Sequence, residues 1–442
     1  MRSSIAVLTA ALLGVGLTAA TPVPPQDGPL PGYTITRPDL APLPGAEVLT
    51  GVHRNAGYAI EVPEHWNGEL VMWAHGFRGN GAELTVDAPS YGLRERFVAQ
   101  GYAWAASSYD RNGYDVASGV ESTKALAGEF GELVGEPERT YLTGVSMGGH
   151  VTGRSIEEFP GFYDGALPMC GVLGDSELFD YFLDFQLAAE TLSGVAAYPP
   201  GPDYATTALP QIYAGLGLVP GDPSVSTPAA EQLRAATVLD SGGERPGAEA
   251  SFGFWKDFLF SLAVPSTDPS PVEGVALDPG VVAGNVDTDY APDSPVDLDA
   301  AVLRVEPADP DTRDSDDLTP VARIEGEPEV PVLSLHDLGD LFVPFAMEQD
   351  YAAEVAANGA SDLLVQRAIR ATGHCEFSND EAGTAWDDLV GWVENGDRPE
   401  GDDVLDADTV ADPAYGCRFS DPAAYANAPA PSEDDTRRLF DA

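Results

Sequence analysis

The sequence predicts an α/β protein in which helices cover both faces of a mostly parallel central sheet, with a large insertion in the middle of the chain. Short apolar runs such as 69–74 and 140–143 alternate with helical segments such as 121–134, which is typical of parallel strands buried on both faces. The alternation stops at about 174 and resumes at about 329. A chain of 442 residues, 43% of them hydrophobic, is long enough to bury a large core.

The predicted elements alternate regularly along the chain. Apolar runs bounded by turn residues predict strands at 58–63, 69–74, 102–106, 140–143, 165–170, 331–335 and 363–368. Apolar residues repeating at helical spacing predict helices at 90–100, 121–134, 149–158, 346–357 and 379–395.

Composition divides the chain into six segments. These are a signal peptide at 1–20, an extended N-terminal arm at 21–45, a first core part at 46–173, a cap insertion at 174–328, a second core part at 329–396 and an acidic C-terminal tail at 397–442. The cap begins with amphipathic helices rich in aromatic residues, one around Phe179 and one around Trp255, and ends in an Asp- and Pro-rich stretch. We expect these aromatic side chains to form the core of the cap, and whether some also line a substrate pocket is left open.

The N-terminus has the features of a cleaved export signal. Arg2 supplies a positive charge, residues 5–17 are apolar and uncharged, and small residues at 18–20 place cleavage after Ala20. The alternative is a membrane anchor, but an apolar run of about 16 residues is short for a membrane span, and prolines follow it directly. We therefore expect a secreted, extracellular protein without a membrane anchor.

The formal net charge of the chain is −50 at pH 7. Such a surface repels nucleic acid and anionic lipid, and it disfavours phosphorylated or polyanionic substrates. We expect no nucleic-acid partner. Two explanations of the acidity stay open, a surface adapted to salt and simple colloidal solubility.

Ser146 lies in a sequence that is typical of a nucleophilic serine. Gly144-Val145-Ser146-Met147-Gly148-Gly149 matches G-x-S-x-G, with a predicted strand just before it and a predicted helix just after it. Small neighbours allow a serine to stand on a sharp strand-to-helix turn, and the helix N-terminus favours the negative charge that develops there. We predict that Ser146 is a nucleophile rather than an idle turn residue.

A serine hydroxyl needs a general base, and position along the chain decides among the six histidines. After a serine of this kind, the acid and then the histidine are expected to follow in chain order. Three histidines precede the serine, one lies on the helix that follows it, and one ends the strand that should supply the acid. These are, in that order, His53, His65, His75, His150 and His336. His374 follows the last predicted strand in a loop, so we predict that it is the base.

The negative oxygen that forms during acyl transfer needs two backbone donors. One is predicted to be the N–H of Met147, the residue after the nucleophile. The other is expected in the loop after the strand that ends at Ala74, where we select the N–H of Phe77. Gly76 allows the backbone to approach closely, and His75 is expected to tie the loop structurally.

These motifs make the chain resemble the α/β-hydrolase superfamily over about 55–175 and 328–396. The resemblance depends on the His-Gly loop at 75–76, the elbow at Ser146, an H-x-x-x-D-x-x-V-P segment at 336–344 and a late Gly-His. It is strongest to secreted bacterial serine esterases of the feruloyl esterase and polyhydroxyalkanoate depolymerase kind. Two features differ from that group: the cap is long and Asp-rich, and there is no evident polymer-binding module.

The acid of the predicted triad must lie in the loop that begins at His336. In the H-x-x-x-D-x-x-V-P pattern of the family, the aspartate four residues after the histidine orients the catalytic imidazole, which implies Asp340. Asp337, nearer the strand end, and Asp175, after the preceding strand, are the alternatives. An aspartate in a turn often bonds only local backbone, and we expect this of Asp337.

Three cysteines allow one disulfide and leave one thiol over. We predict a bond between Cys375, beside His374, and Cys417 in the tail, because it would fix the His374 loop. Cys170 ends a predicted central strand, where a buried thiol is common. Three cysteines permit three pairings, so the other two stay open.

Together the motifs predict hydrolysis of a small-molecule or polymeric carboxylic ester through an acyl-enzyme intermediate. The alternative is a serine peptidase of the prolyl-oligopeptidase or aminopeptidase type, since such enzymes often read a free amine with acidic residues. A calcium-binding or adhesive protein is less favoured, because no segment fits the twelve-residue calcium loop. We expect no metal or organic cofactor, since the chain lacks an H-E-x-x-H motif, a Cys–His ligand cluster and a dinucleotide fingerprint. The oligomeric state is not indicated.

Overall fold

The computed structural model describes residues 28–266 and 278–426. The predicted signal peptide at 1–20 lies outside the described residues, as do parts of the predicted arm and tail. Across the described ranges, no helix is both long enough and apolar enough to cross a membrane.

The described residues form ten strands and thirteen α-helices. The strands are β1 (Thr34–Ile35), β2 (Ala46–His53), β3 (Ala56–Pro63), β4 (Glu69–Ala74), β5 (Glu83–Leu84), β6 (Ala103–Ser107), β7 (Arg139–Val145), β8 (Gly165–Met169), β9 (Val332–Asp337) and β10 (Leu364–Ile369). The helices are α1 (Leu93–Gln100), α2 (Val116–Leu133), α3 (Met147–Glu158), α4 (Glu177–Ser193), α5 (Leu209–Leu216), α6 (Pro228–Asp240), α7 (Ala248–Ser261), α8 (Leu298–Ala301), α9 (Pro310–Arg313), α10 (Ala346–Ala357), α11 (Asn379–Asn395), α12 (Ala407–Val410) and α13 (Pro422–Ala426).

Eight strands form the central sheet, in the order β10-β9-β8-β7-β4-β6-β3-β2. Strand β3 runs antiparallel to both of its neighbours, and all other neighbouring pairs of this sheet are parallel. Helices α1 and α11 pack together on one face, while α2 and α3 pack on the other. A mostly parallel sheet with helices on both faces and a strand–serine–helix turn at β7 is the α/β-hydrolase fold, so the predicted fold class is confirmed.

The buried parallel strands match their predicted positions closely, and the differences lie at the margins of the sheet. Strand β2 was not predicted, because it is an edge strand that pairs only with β3 and has no continuous apolar run. Helix α2 begins at Val116 rather than at 121, because the Asp115 side chain accepts the N–H of Ser118 and caps an earlier turn.

The cap lies between β8 and β9 and contains α4 to α9. The two predicted aromatic helices are α4 and α7, which pack against each other along with α5 and α6. The cap and one face of the sheet share a continuous apolar core, which includes Phe179 and Phe252 from the cap and Leu142 from the sheet. The cap therefore sits directly on the core rather than being joined to it by a flexible linker.

Carboxylates line a cavity of about 300 Å³ between the cap and α10, among them Asp184, Asp240 and Asp350. Burial raises the pKa of Asp184 to about 7, although hydrogen bonds from Tyr290 and Thr288 oppose the shift. Burial also raises the pKa of Asp350 to about 7, and the nearby carboxylates add to this. Both groups are therefore partly protonated in the folded protein near neutral pH.

We expect the melting temperature to decrease as the pH is raised from 5 to 8. An unfolded aspartate loses its proton near pH 4, whereas these two groups keep theirs up to about pH 7, so the folded state binds more protons in between and stability falls as pH rises. Asp350→Asn removes one of these groups and should reduce the difference between the two pH values, measured by thermal denaturation. The exposed Asp311→Asn serves as the control. A pH dependence that Asp350→Asn leaves unaltered would contradict this account.

Candidate active site

The predicted site residues follow strands that end at the same edge of the sheet. Loops after β4, β7, β9 and β10 carry them, and the carboxyl ends of parallel strands are where ligands bind in open α/β sheets. Every residue of β4, β8 and β9 is buried, and so are the five middle residues of β7, so these strands provide a rigid base for the loops.

Ser146 occupies a strained turn between β7 and α3. Its backbone has φ 58° and ψ −125°, a conformation that a residue with a side chain rarely adopts. A Cβ at Gly144 would overlap the carbonyl oxygen of Gly148, and a Cβ at Gly148 would overlap that of Ala74. The glycines of the motif are therefore required by close backbone approach, as the sequence argument supposed.

His374 lies between Ser146 and Asp340. Its Nε2 is 2.8 Å from Ser146 Oγ, and its Nδ1 is 2.5 Å from Asp340 Oδ2. Because Nδ1 faces a carboxylate, we assign the proton to Nδ1, which leaves Nε2 as an acceptor for the serine hydroxyl. Asp340 is fully buried, and its Oδ1 accepts the backbone N–H groups of Phe342 and Val343 at 2.8 and 3.1 Å. Both carboxylate oxygens of Asp340 are thus held in place.

The carboxylates of the two alternative acids accept backbone N–H groups. Asp337 is buried, and its Oδ2 accepts the backbone N–H of Glu376 at 2.7 Å. This bond joins the β9 and β10 loops, so the expectation that Asp337 bonds only local backbone is wrong. The carboxylate of Asp175 accepts the N–H of Ile324 at 3.0 Å.

The backbone beside Ser146 offers two uncommitted donors. A Cβ at Gly76 would lie 3.0 Å from Ser146 Cβ, so the loop after β4 closely approaches the serine. Within residues 28–266 and 278–426, no acceptor takes the backbone N–H of Phe77 or of Met147. Both predicted donors are therefore available to a ligand, and Phe77 lines the same cavity as Ser146.

His75 holds the loop after β4. Its ring stacks on Tyr109 with centroids 3.8 Å apart, and its Nδ1 lies 2.7 Å from the carbonyl oxygen of Gly76. Burial, together with the charge of Arg78, lowers the pKa of His75 to about 3. The ring is therefore neutral at ordinary pH, which suits a structural role rather than a role in proton transfer.

The disulfide joins Cys170 to Cys375, and Cys417 is an exposed free thiol. The predicted Cys375–Cys417 pairing is therefore wrong. Cys170 directly follows β8 and Cys375 lies in the loop after β10, so both belong to the carboxyl edge and their Cα atoms are 5.3 Å apart. The Cys375 sulfur lies 3.4 Å from His374 Nε2, which places the bond against the imidazole.

Cys170, His374 and Cys375 form a compact group of potential metal-ligating atoms in the described part of the chain. Both sulfurs are joined to each other, and a disulfide sulfur is not the thiolate that a metal ion binds. The group is therefore a disulfide beside a histidine and not a metal-ligand set.

Loss of the disulfide should destabilise the protein. We expect Cys170→Ser with Cys375→Ser to lower the free energy of unfolding by about 2–5 kcal/mol, since the bond closes a loop spanning 205 positions and constrains the unfolded chain. Urea denaturation measures the change, and Cys417→Ser, which removes only an exposed thiol, is the matched control. Peptide mapping without reductant provides a separate check, and a Cys375–Cys417 peptide there would refute the pairing.

A cavity of about 230 Å³ opens over Ser146. Its wall is mostly apolar and includes Phe77, Tyr114, Phe179, Phe182, Val264 and Phe342. Helix α4 supplies Phe179 and Phe182, so aromatic side chains of the cap do line this cavity. Among the described lining residues, Asp278 and Tyr114 have ionisable side chains, and none is a lysine, arginine or histidine.

The fold and these hydrolytic groups define the class of this protein as a hydrolase with the α/β-hydrolase fold. Comparison with known proteins agrees with this class. Residues 48–198, which include the Ser146 turn, match the model of a tannase-like family of unknown function (DUF6351).

A curated relative and two solved structures show more extended similarity. The chain is 26% identical over 411 residues to an o-phthalyl amidase of Xanthobacter agilis, which covers 79% of this chain and 88% of that protein. An esterase from Aspergillus oryzae is 14% identical with a TM-score of 0.44, covering 81% of each chain. Feruloyl esterase B from the same organism is 16% identical with a TM-score of 0.40, covering 81% of this chain and 82% of that one.

Proposed function

We propose that this chain is a secreted serine hydrolase that cleaves carboxylic esters of uncharged, apolar or aromatic acids through an acyl-enzyme intermediate. The observation that carries the proposal is the position of His374, with one ring nitrogen 2.8 Å from Ser146 Oγ and the other 2.5 Å from a buried carboxylate oxygen of Asp340. A base held by a third group and in contact with a serine hydroxyl is the requirement for activating that hydroxyl.

In the proposed acylation step, Ser146 Oγ attacks the ester carbonyl carbon while His374 Nε2 takes the hydroxyl proton. Asp340 stabilises the resulting imidazolium through the Nδ1–H bond without taking its proton. The N–H groups of Phe77 and Met147 stabilise the negative oxygen of the tetrahedral intermediate. The imidazolium then protonates the departing alcohol.

In the proposed deacylation step, a water molecule replaces the alcohol. His374 removes a proton from the water as it attacks the acyl carbon, and the carboxylic acid leaves when Ser146 recovers its proton. Apart from the substrate and this water molecule, the two proposed steps use groups of this chain.

The substrate class follows from the wall of the cavity. Aromatic and aliphatic side chains favour an apolar acyl group, and an aromatic ring can stack on Phe182 or Phe342. A carboxylate on the acyl group would be buried beside Asp278, with no cation among the described lining residues, and would lose its hydration without compensation. Residues 267–277, which connect the lining residues Ser266 and Asp278 in sequence, contain no lysine, arginine or histidine.

Amide hydrolysis is the second candidate, favoured by similarity to an enzyme whose name specifies an o-phthalyl amide. The same groups would serve, since His374 can protonate an amine as it leaves. The peptidase alternative is one form of this candidate.

A paired substrate panel tests the proposal. We expect turnover of p-nitrophenyl 4-methylbenzoate with kcat/KM at least about tenfold above that for p-nitrophenyl 4-carboxybenzoate, which differs by one buried charge. The p-nitroanilide of the same neutral acid and aminoacyl-p-nitroanilides test the amidase and peptidase candidates. Faster cleavage of the anilides would overturn the ester assignment, and preference for the carboxylated ester would overturn the acyl assignment.

Export is part of the proposal. The apolar segment at 5–17 and the small residues at 18–20 support cleavage after Ala20, and a disulfide suits an oxidising compartment. N-terminal sequencing of the protein recovered from culture medium tests it, and recovery only inside the cells would contradict it.

A further inference from the structure

The loop that carries Asp340 is held by side chains of the cap. We call residues 337–343 the acid loop and residues 370–376 the base loop. Three cap side chains donate hydrogen bonds to three backbone carbonyls of the acid loop. The bonds are Arg245 Nε to Leu338 O at 2.7 Å, Trp255 Nε1 to Gly339 O at 3.1 Å, and Tyr181 Oη to Leu341 O at 3.2 Å.

Trp255 differs from the other two because it also reaches the base loop. Its indole Nε1 lies 2.7 Å from the carbonyl oxygen of Thr372 as well as 3.1 Å from that of Gly339, and it donates to both. Gly339 immediately precedes Asp340, and Thr372 lies two residues before His374. One buried N–H thus bridges the backbones that carry the proposed acid and the proposed base.

We propose that Trp255 is a positioning residue through which the cap holds Asp340 and His374 at their contact distance. The proposal rests on the function proposed above, in which these two residues act as a pair. It makes the cap a structural part of the catalytic centre in addition to a wall of the substrate cavity.

The indole N–H stabilises two carbonyl oxygens that lie close together. Two carbonyl oxygens converge on it from different loops, and without a donor between them they would repel each other and remain unsatisfied in a buried place. The backbone makes one other bond between the loops, from Gly339 N–H to Ala371 O at 2.8 Å. The Asp337 carboxylate also joins the two loops by accepting the N–H of Glu376 at 2.7 Å. Neither of these bonds replaces the indole donor between the two carbonyl oxygens, so its loss allows the carboxylate of Asp340 to shift by the fraction of an ångström that matters for catalysis.

The ring of Trp255 also makes apolar contacts with other aromatic rings. It packs against Phe258 and, at a centroid distance of 6.4 Å, against Phe342, whose own ring contacts His374. Phenylalanine at position 255 preserves part of this apolar contact, removes the N–H and leaves a smaller ring. Trp255→Phe therefore removes the hydrogen bonds, and a Trp→Phe control elsewhere in the chain accounts for the smaller ring.

We expect Trp255→Phe to lower kcat by about 10- to 100-fold on p-nitrophenyl 4-methylbenzoate and to leave KM within about twofold. Trp66→Phe is the matched control, because Trp66 Nε1 also donates to a backbone carbonyl, that of Glu69 at 2.8 Å, which is the first residue of β4 and lies at the end of the strand opposite to the carboxyl edge. Both variants lose one indole N–H, so a loss of stability alone would affect both. Equal kcat values for the two variants, each measured well below its melting temperature, would overturn the proposal.

Two further readouts separate positioning from a general structural effect. The acidic limb of the pH–kcat profile should move to lower pH in Trp255→Phe, since the imidazolium loses part of its stabilisation by Asp340. In an Asp340→Asn background, Trp255→Phe should lower kcat little further, because the effect passes through the carboxylate. An unmoved profile, or a full additional loss in that background, would contradict the proposal.

A second variant covers the case in which Trp255→Phe does not fold. Tyr181→Phe removes the cap bond to Leu341 O and should lower kcat several-fold, whereas Tyr213→Phe removes a cap bond to Asp257 at 2.6 Å and should not. Indistinguishable kcat values for these two variants would count against the proposal. Failure of the proposed function is recognised separately, because Asp340→Asn would then keep its activity, whereas failure of this inference alone leaves Asp340→Asn inactive and Trp255→Phe active.

Discussion

Replacing Ser146 with alanine is expected to lower kcat by about 10⁴-fold or more on any substrate that the protein turns over, because the members of a triad act as a unit. The hydroxyl is the only group lost. The strained turn is set by Gly144 and Gly148, which remain, so the fold should persist. Circular dichroism and the melting temperature check this, and steady-state kinetics give kcat.

Covalent labelling identifies the reacting atom independently of the substrate. A fluorophosphonate probe should label Ser146 in the wild type and nothing in Ser146→Ala. Ser155→Ala, in the same helix α3, is the matched control and should keep both labelling and turnover. Labelling that survives in Ser146→Ala would show that another residue is the nucleophile.

The parts of the molecule that could be predicted from sequence are those that local chemistry determines. The parallel strands are buried on both faces, so they read as continuous apolar runs and were located within a residue or two. The turn at Ser146 was identified because its small residues form a recognisable local motif between a predicted strand and a predicted helix. The structure brings Ser146, His374 and Asp340 into hydrogen-bonding distance. Their catalytic roles remain predictions that kinetic measurements must test.

The disulfide was mispredicted because it depends on the order of strands in the sheet. Cys170 and Cys375 are separated by 205 positions in the chain, and they meet because β8 and β10 flank β9 with their carboxyl ends at one edge. A sequence motif carries no information about such neighbours. The pairing with Cys417 was favoured because it would fix the His374 loop and because Cys170 was expected to be a buried thiol, and neither argument considers which strands are neighbours.

The contacts made by the cap were unpredictable for a related reason. Trp255 was recognised only as one aromatic residue of an amphipathic helix, where burial is the ordinary outcome. Its hydrogen bonds to Gly339 and Thr372 depend on how the cap docks on the core. A tryptophan in an otherwise phenylalanine-rich helix was the one available signal, since a buried indole N–H requires an acceptor.

Replacing Asp340 with asparagine is expected to lower kcat by about 10⁴-fold. Asp340 Oδ1 accepts the N–H groups of Phe342 and Val343, so the amide oxygen of asparagine should take that place and direct its NH₂ group at His374 Nδ1. The imidazole would then accept at Nδ1 and carry its proton on Nε2. In that tautomer Nε2 cannot take the proton of Ser146, so the serine is not activated.

Asp337→Asn is the matched comparison, since Asp337 belongs to the same loop and is equally buried. Both variants replace one carboxylate oxygen with an NH₂ group. Asp337 Oδ2 accepts the backbone N–H of Glu376, and an asparagine oxygen can still accept that bond. We therefore expect Asp337→Asn to lose less than about tenfold in kcat, with any effect visible in the melting temperature. Both variants are to be compared with the wild type at one pH after folding has been verified. Near-normal turnover of Asp340→Asn together with an inactive, folded Asp337→Asn would move the proposed acid to Asp337, since only the residue that orients His374 can have the larger effect.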